Sequence, residues 1–276
     1  MIIIEQFAER QVSTNEKAIL DRQVVAQETF GDGTLKCQLP KIYDDYKDIN
    51  IVWCYDNDAE LFCLWSLVRY IQNEYPDIKM SLHLPYIPHA RQDRNVSGRL
   101  FTLKYFAELI NRMNFQTVWV LDPHSDVATA LIDRVRQMPM PFLVSYKDCA
   151  IMYPDNGAAK KYGAMEGVTN PIIGNKHRNV EGRIDGYELI NFPEGTKKVV
   201  IRDDICSYGG TFVAVAKELR KRGVEEIILV VSHCEDNILK GEVFDHIDRV
   251  FTSDSICTVS HPKLVVTKAF RGESNV

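Results

Sequence analysis

No apolar run in this 276-residue chain approaches the roughly 20 residues that a helix needs to cross a bilayer, so no membrane span is expected. Basic charge is not in excess either. Lys and Arg number 33 against 38 Asp and Glu, a formal net charge of -5, which argues against non-specific nucleic-acid binding through a basic face. A small anionic substrate stays compatible if basic side chains gather locally. No Cys-x-x-Cys pair occurs: the seven cysteines, Cys37, Cys54, Cys63, Cys149, Cys206, Cys234 and Cys257, are odd in number and scattered. Reduced thiols in a cytosolic protein are therefore expected, and a zinc site is not. Low-complexity segments are also missing. The opening "MIIIEQFAER" has one short apolar run without a basic leader or a small-residue cleavage pattern, so it reads as a first strand and a cytoplasmic location is expected.

What is present is ordinary for a globular chain, 45% hydrophobic against 26% charged residues, and the length suits one large or two medium domains. Short aliphatic runs recur, most of them followed by a helical pattern. In the first half "INIVWCY" precedes "DAELFCLWSLVRYIQNEY", "DIKMSLHLPY" precedes "LFTLKYFAELINRM", and "TVWVLD" follows. In the second half "CAIMYPD", "KKVVIRDD", "EEIILVVSH" and "RVFTSD" repeat the theme. Strands alternating with helices predict βαβ units, hence an α/β fold with mainly parallel sheets flanked by helices. The turn-rich stretch "RQMPMPFLVSY" carries two prolines and separates the two series, predicting domains at 1–140 and 141–276.

Two adjacent acids, Asp203 and Asp204, close the aliphatic run of "KKVVIRDDICSYGGT", and Gly209, Gly210 and Thr211 follow before a helical segment. Like charges side by side repel, so something must compensate them. Ligands of doubly wound sheets bind outside the carboxyl ends of the strands. Backbone amides of Ser207 to Thr211 at a helix N-terminus suit a phosphate, and the acids suit sugar hydroxyls. The plainer alternative is that the acids cap a turn which the glycines merely permit, and it stays open on these residues alone.

"VVIRDDICSYGGT" resembles the phosphoribosyl diphosphate motif shared by type I phosphoribosyltransferases and ribose-phosphate diphosphokinases, also called PRPP synthetases. Further segments, in order from about residue 29 to 268, resemble the diphosphokinases in particular. "LPYIPHARQDR" is similar to the family's ATP-binding segment, which implies ATP contacts for Arg91, Gln92 and Asp93. "VLDPHSD" is similar to the segment whose histidine, here His124, reaches the magnesium-ATP complex. "MYPDNGAAKKY" is similar to the Pro-Asp-x-Gly segment, with Asp155 matching the acid that serves metal and sugar. "TFGDG", with Phe30 and Asp32, resembles the loop that reaches the adenine of a neighbouring subunit. "IIGNKHRNVEGRIDG" is similar to the catalytic loop, Lys176 and Arg178 matching its basic positions.

The resemblance implies two type I phosphoribosyltransferase-like domains, the first with the ATP segment and the second with the catalytic loop and a ribose-phosphate clamp of Asp203, Asp204, Ser207, Tyr208, Gly209, Gly210 and Thr211. It implies Mg2+ held with the help of His124 and Asp155, ATP as co-substrate, a ribose 5-phosphate-type acceptor and a homo-oligomer, dimer or hexamer. The expected reaction moves the β,γ-diphosphoryl group of ATP to the anomeric hydroxyl of ribose 5-phosphate. Departures bear on the acceptor: Ser207-Tyr208 stands where the family has Asp-Thr, Thr34 replaces a Glu, and Asn175 an Asp. A 5-substituted ribose such as ADP-ribose is therefore an alternative, since the Tyr208 ring suits stacking on a base. A phosphoribosyltransferase leaves "PHARQDR" unexplained, and an inactive nucleotide-binding regulator leaves Lys176, Arg178, His124 and Asp155 unexplained.

Overall fold

A computed structural model describes residues 1–7, 19–43, 46–96, 98–140, 148–163, 166–178 and 184–271; for 19–20, 176–178 and 184–186 it describes the backbone alone. Internal contacts divide the chain into two units, Met1–Pro139 with Phe270–Val276, and Met140–Ala269. No helix among the described residues is long and apolar enough to cross a membrane.

The first unit contains β1 (Ile2–Phe7), β2 (Ile19–Val24), β3 (Gln27–Thr29), β4 (Leu35–Cys37), β5 (Asp48–Trp53), α1 (Ala59–Glu74), β6 (Lys79–Leu84), α2 (Thr102–Arg112), β7 (Thr117–Val120), α3 (Asp126–Leu131) and β8 (Val135–Gln137). Its main sheet runs β2-β1-β5-β6-β7-β8, parallel from β5 onward, with β1 antiparallel to both neighbours. Leu64, Leu67, Val68 and Ile71 of α1 recur at helical spacing and are buried, as are Leu103, Phe106, Ala107 and Ile110 of α2. These two stripes pack on Ile49, Ile51, Leu82 and Val118 of the sheet. Pro76 follows the last residue that α1 can use and stops it.

β3 and β4 form a separate antiparallel hairpin, and β4 lies against α1. That packing corrects the expectation of seven reduced thiols. Cys37 and Cys63 come within 6.1 Å between Cα atoms and form a disulfide, while Cys54, Cys206, Cys234 and Cys257 are buried thiols outside it.

The second unit contains β9 (Ala150–Tyr153), α4 (Asn156–Gly163), β10 (Ile172–Arg178), β11 (Ile184–Ile190), β12 (Lys198–Cys206), α5 (Gly210–Lys221), β13 (Glu226–Cys234), a 3-10 turn (Asp236–Lys240), α6 (Val243–His246), β14 (Arg249–Ser253) and β15 (Leu264–Thr267). The sheet order is β11-β10-β9-β12-β13-β14-β15, parallel except for β11, which runs antiparallel to β10. The period of two along the strands supplies both faces. Val199, Ile201, Ile227 and Leu229 pack with Phe212, Val215 and Leu219 of α5, whereas Val200, Ile228 and Val230 join Tyr153 and Tyr162 on the other side.

Two segments differ from the expectation. The interdomain stretch starts inside an edge strand, β8, and its residues 141–147 lie outside the described part. The expected catalytic loop is largely an antiparallel strand pair, because the alternation that places Ile173 opposite Ile190 continues as a ladder to Lys176 opposite Tyr187. The disulfide predicts a thiol count. Unfolded without reductant, the protein should titrate five thiols and, after reduction, all seven; losing the closed loop should cost about 3–4 kcal/mol in denaturant unfolding. Seven thiols before reduction would contradict the pairing.

Candidate active site

In the second sheet the chain leaves β9 towards β10 on one side, while β12 continues to β13 on the other. The neighbours β9 and β12 therefore flank a topological switch point, whose carboxyl-end crevice is where open α/β sheets bind ligands. Asp155 follows β9, and Asp203 and Asp204 lie near the end of β12. Burial pushes the Asp203 carboxyl up to about 8, helped by the charges of Asp204 and, more weakly, Asp155. Its Oδ1 accepts the Asp204 backbone N–H at 2.9 Å. Asp155 Oδ1 accepts the Ala158 N–H at 3.0 Å, so this acid also caps α4. Capping and closeness to Asp203 coexist.

The loop after β12 is pinned from outside. Gly209 adopts a left-handed φ of 77° before α5, and a Cβ there would lie 2.0 Å from Val243 Cγ2. A Cβ on Gly241 would lie 2.0 Å from the Tyr208 carbonyl oxygen. Only hydrogen atoms fit at these two approaches. The Ser207 hydroxyl donates to the Glu235 carboxylate, and the Tyr208 ring is 55% exposed. Gly210 and Thr211 open α5, whose first-turn amides have no intrahelical partner and can receive an anion.

Three residues that sequence inspection passed over surround the acids and the glycine loop. Arg202 is buried; its Nε meets Glu166 Oε1 at 3.1 Å, its guanidinium lies 4.0 Å from the Tyr162 ring centroid, and Nη2 reaches Ser232 Oγ at 3.4 Å. Nη1 donates to the Asp203 carbonyl, tying this cluster to the backbone of the acidic pair. An arginine in the otherwise aliphatic run before two acids was the available signal. Glu166 and Glu235 carried no comparable signal, because only folding brings them to Arg202 and Ser207.

In the first unit, the candidate nucleotide residues follow two adjacent parallel strands, β6 and β7. Arg91, Gln92 and Arg94 are exposed, whereas Asp93 is buried. Gln92 Oε1 accepts the Thr102 hydroxyl at 2.5 Å, and Asp93 accepts Arg94 Nε at 2.9 Å and Ser125 Oγ at 2.8 Å. The Arg94 guanidinium holds the Asp93 carboxyl below its usual range. Asp93 thus links the "ARQDR" loop to the residue beside His124, which is exposed. The β3–β4 turn presents Phe30, 56% exposed, and Asp32, whose Oδ1 accepts Thr34 N–H at 2.9 Å; that bond lowers its pKa.

Lys176 and Arg178 end β10, described as backbone only, with the ladder's extra residue falling in β11 opposite the step from His177 to Arg178. Among the described residues no three His, Cys, Asp or Glu side chains form a ready cage for a metal ion. Carboxylate oxygens of Asp155, Asp203 and Asp204 nevertheless suit a hard cation that keeps waters and binds substrate phosphates.

The Asp203 shift has a definite sign. Its raised folded-state pKa means that the unfolded chain ionises first, so stability is fullest below pH 4 and falls as pH rises towards 8. In buffer free of divalent cations, Asp203→Asn should raise the Tm relative to the parent, with a larger gain at pH 8.5 than at pH 5. Equal gains at both pH values would refute the shift.

Comparison with known proteins supplies independent context. The family model for the phosphoribosyl transferase domain matches residues 177–263, which include the acids and the glycine loop. The ribose-phosphate pyrophosphokinase of Marinomonas sp. (strain MWYL1) is 27% identical over 220 residues, 75% of this chain and 67% of its own length. That of Sulfurisphaera tokodaii is 23% identical over 271 residues, 93% of each. The phosphoribosylpyrophosphate synthetase of Mycobacterium smegmatis shares the fold, with a TM-score of 0.70 over 89% of this chain and 86% of that one at 18% identity. Over most of its length the chain is thus similar to ribose-phosphate pyrophosphokinases, which are diphosphotransferases, and its second unit contains the match to the phosphoribosyl transferase domain.

Proposed function

We propose that the protein transfers the β,γ-diphosphoryl group of ATP to the anomeric hydroxyl of ribose 5-phosphate, forming PRPP and AMP. The observation that carries this is the meeting of Asp155, Asp203 and Asp204 at the β9–β12 switch point, directly before a glycine loop and a helix N-terminus. The anomeric oxygen attacks the β-phosphorus, the bond from that phosphorus to the α-phosphate bridging oxygen breaks, AMP leaves with the electron pair, and the hydroxyl proton is shed. Such chemistry needs alignment and charge neutralisation more than a covalent nucleophile.

Asp203 and Asp204 accept hydrogen bonds from the ribose hydroxyls. Ser207, Tyr208, Gly209, Gly210 and Thr211 surround the substituent on C5. Lys176 and Arg178 are the cations assigned to the charge that develops on the transferring group. Arg91, Gln92, His124, Phe30 and Asp32 are assigned to ATP, with Asp93 shaping their loop through Arg94 and Ser125. Magnesium, to be held with the help of Asp155 and His124, would supply charge neutralisation on the phosphates. A homo-oligomer and a cytoplasmic location go with this function. The exposed ring of Tyr208 favours a second acceptor class, 5-substituted riboses such as ADP-ribose, which could stack on it.

AMP release from ATP in the presence of ribose 5-phosphate or ADP-ribose tests the function, and excess chelator should abolish it. Lys176→Ala and Arg178→Ala should each lower kcat by about a hundredfold to a thousandfold while ATP affinity stays near the parent's. His124→Ala and Asp155→Ala should raise the magnesium concentration required for half-maximal rate. Parental turnover in both strand β10 variants would remove these cations from the mechanism.

A further inference from the structure

The nucleotide loop of the first unit turns on a strained residue. His89, in "LPYIPHARQDR", has a left-handed φ of 61°, a region that residues other than glycine enter sparingly and keep only where their surroundings hold them. Two helices hold this one. Its Nε2 lies 3.2 Å from Oδ1 of Asp58, the N-cap residue of α1, and its ring lies 5.8 Å between centroids from Phe106 of α2. The His89 carbonyl accepts the Gln92 N–H at 2.8 Å, and the Gln92 carbonyl in turn accepts the Leu103 N–H of α2 at 3.3 Å. His89 therefore closes the turn that carries Arg91 and Gln92, both assigned to ATP.

We infer that His89 is a positioning residue whose charge, paired with Asp58, sets the nucleotide loop, so that ATP binding weakens as the imidazole loses its proton. Imidazole is the side chain whose charge changes between about pH 5 and pH 8. The titratable groups around it come from few elements. Asp58 faces it from α1, and the same Oδ1 accepts the Tyr55 hydroxyl at 2.9 Å; Tyr86 flanks the Tyr55 ring at 6.2 Å between centroids, and Glu60 is turned to Trp53. Burial, and then the bond to Asp58, push the Tyr55 hydroxyl up, so it stays a neutral donor throughout this range. From α2 the ring meets the uncharged Phe106, and within the loop Asp93 is held by Arg94 while Arg91 is exposed. Protonated, His89 makes an ion pair with Asp58; neutral, it keeps at most a hydrogen bond. Deprotonation thus loosens the turn and removes a positive charge two residues from Arg91, beside an anionic ligand. Both effects weaken ATP binding. The Asp58 side chain is 65% exposed, so the pair acts on the scale of a surface ion pair, about twofold to fivefold in affinity.

This inference rests on the loop binding ATP, the assignment made under the proposed function. Binding of magnesium-ATP without an acceptor sugar is measured by calorimetry at about pH 6 and about pH 8 for the parent, His89→Asn and Asp58→Asn. Asn tolerates the left-handed backbone but carries no charge, and Asn at position 58 still accepts the Tyr55 hydroxyl while losing only the charge. The ratio of affinities at the two pH values should be about twofold to fivefold larger for the parent than for either variant, since the titration of ATP itself is common to all three proteins and cancels. In buffers of different ionisation enthalpy the parent should also take up more protons on binding than either variant. Should one variant have a lowered Tm, the other carries the comparison. ATP binding with the same pH ratio in parent and variants overturns the positioning role alone. No ATP binding by the parent overturns the nucleotide assignment and this inference together.

Discussion

Placing two adjacent carboxyls, one buried and one half-buried, at the end of β12 is the constraint around which the second unit is organised. Asp204 is 7% exposed, and burial together with the Asp204 charge pushes the Asp203 carboxyl up, an arrangement that costs stability in the free protein. The sheet concentrates the compensation close by. Below the acids, Arg202 is locked between Glu166, Tyr162 and Ser232; breaking such a buried pair by removing one partner typically costs about 3–5 kcal/mol. Beyond them, the amides opening α5 present positive potential.

The glycine loop illustrates how sterics turn a permissive sequence into a rigid one. Gly209 is needed for its left-handed backbone, yet its missing side chain also lets Val243 approach, and Gly241 does the same for the Tyr208 carbonyl. The loop is shaped by a segment more than thirty residues later in the chain. Ser207, Tyr208 and Glu235 are therefore held together at the end of β12, and Ser207-Tyr208 differs from the Asp-Thr of the motif that this segment resembles.

Much of this was legible in the residues. β5, α1, β6, α2, β7, β9, β12, β13 and β14 fall within or close to the segments that periodicity marks, since aliphatic runs and i, i+3, i+4, i+7 stripes report burial directly. Asp203 and Asp204 stood out for the same reason, as charges terminating a buried run. Less legible were β8, a three-residue edge strand, and the β10–β11 pair, where polar residues mask the ladder. The Cys37–Cys63 pairing escaped because composition speaks to compartment and not to which side chains meet.

Local order along the chain was enough to establish an α/β protein, the two acids, the glycine turn and a family resemblance. These are properties of neighbouring residues, and neighbours in sequence are neighbours in space. Which strand lies beside β12 is not such a property. It follows from how buried faces pack, and it alone put Asp155 at the switch point, Glu166 on Arg202 and the Glu235 carboxylate on Ser207.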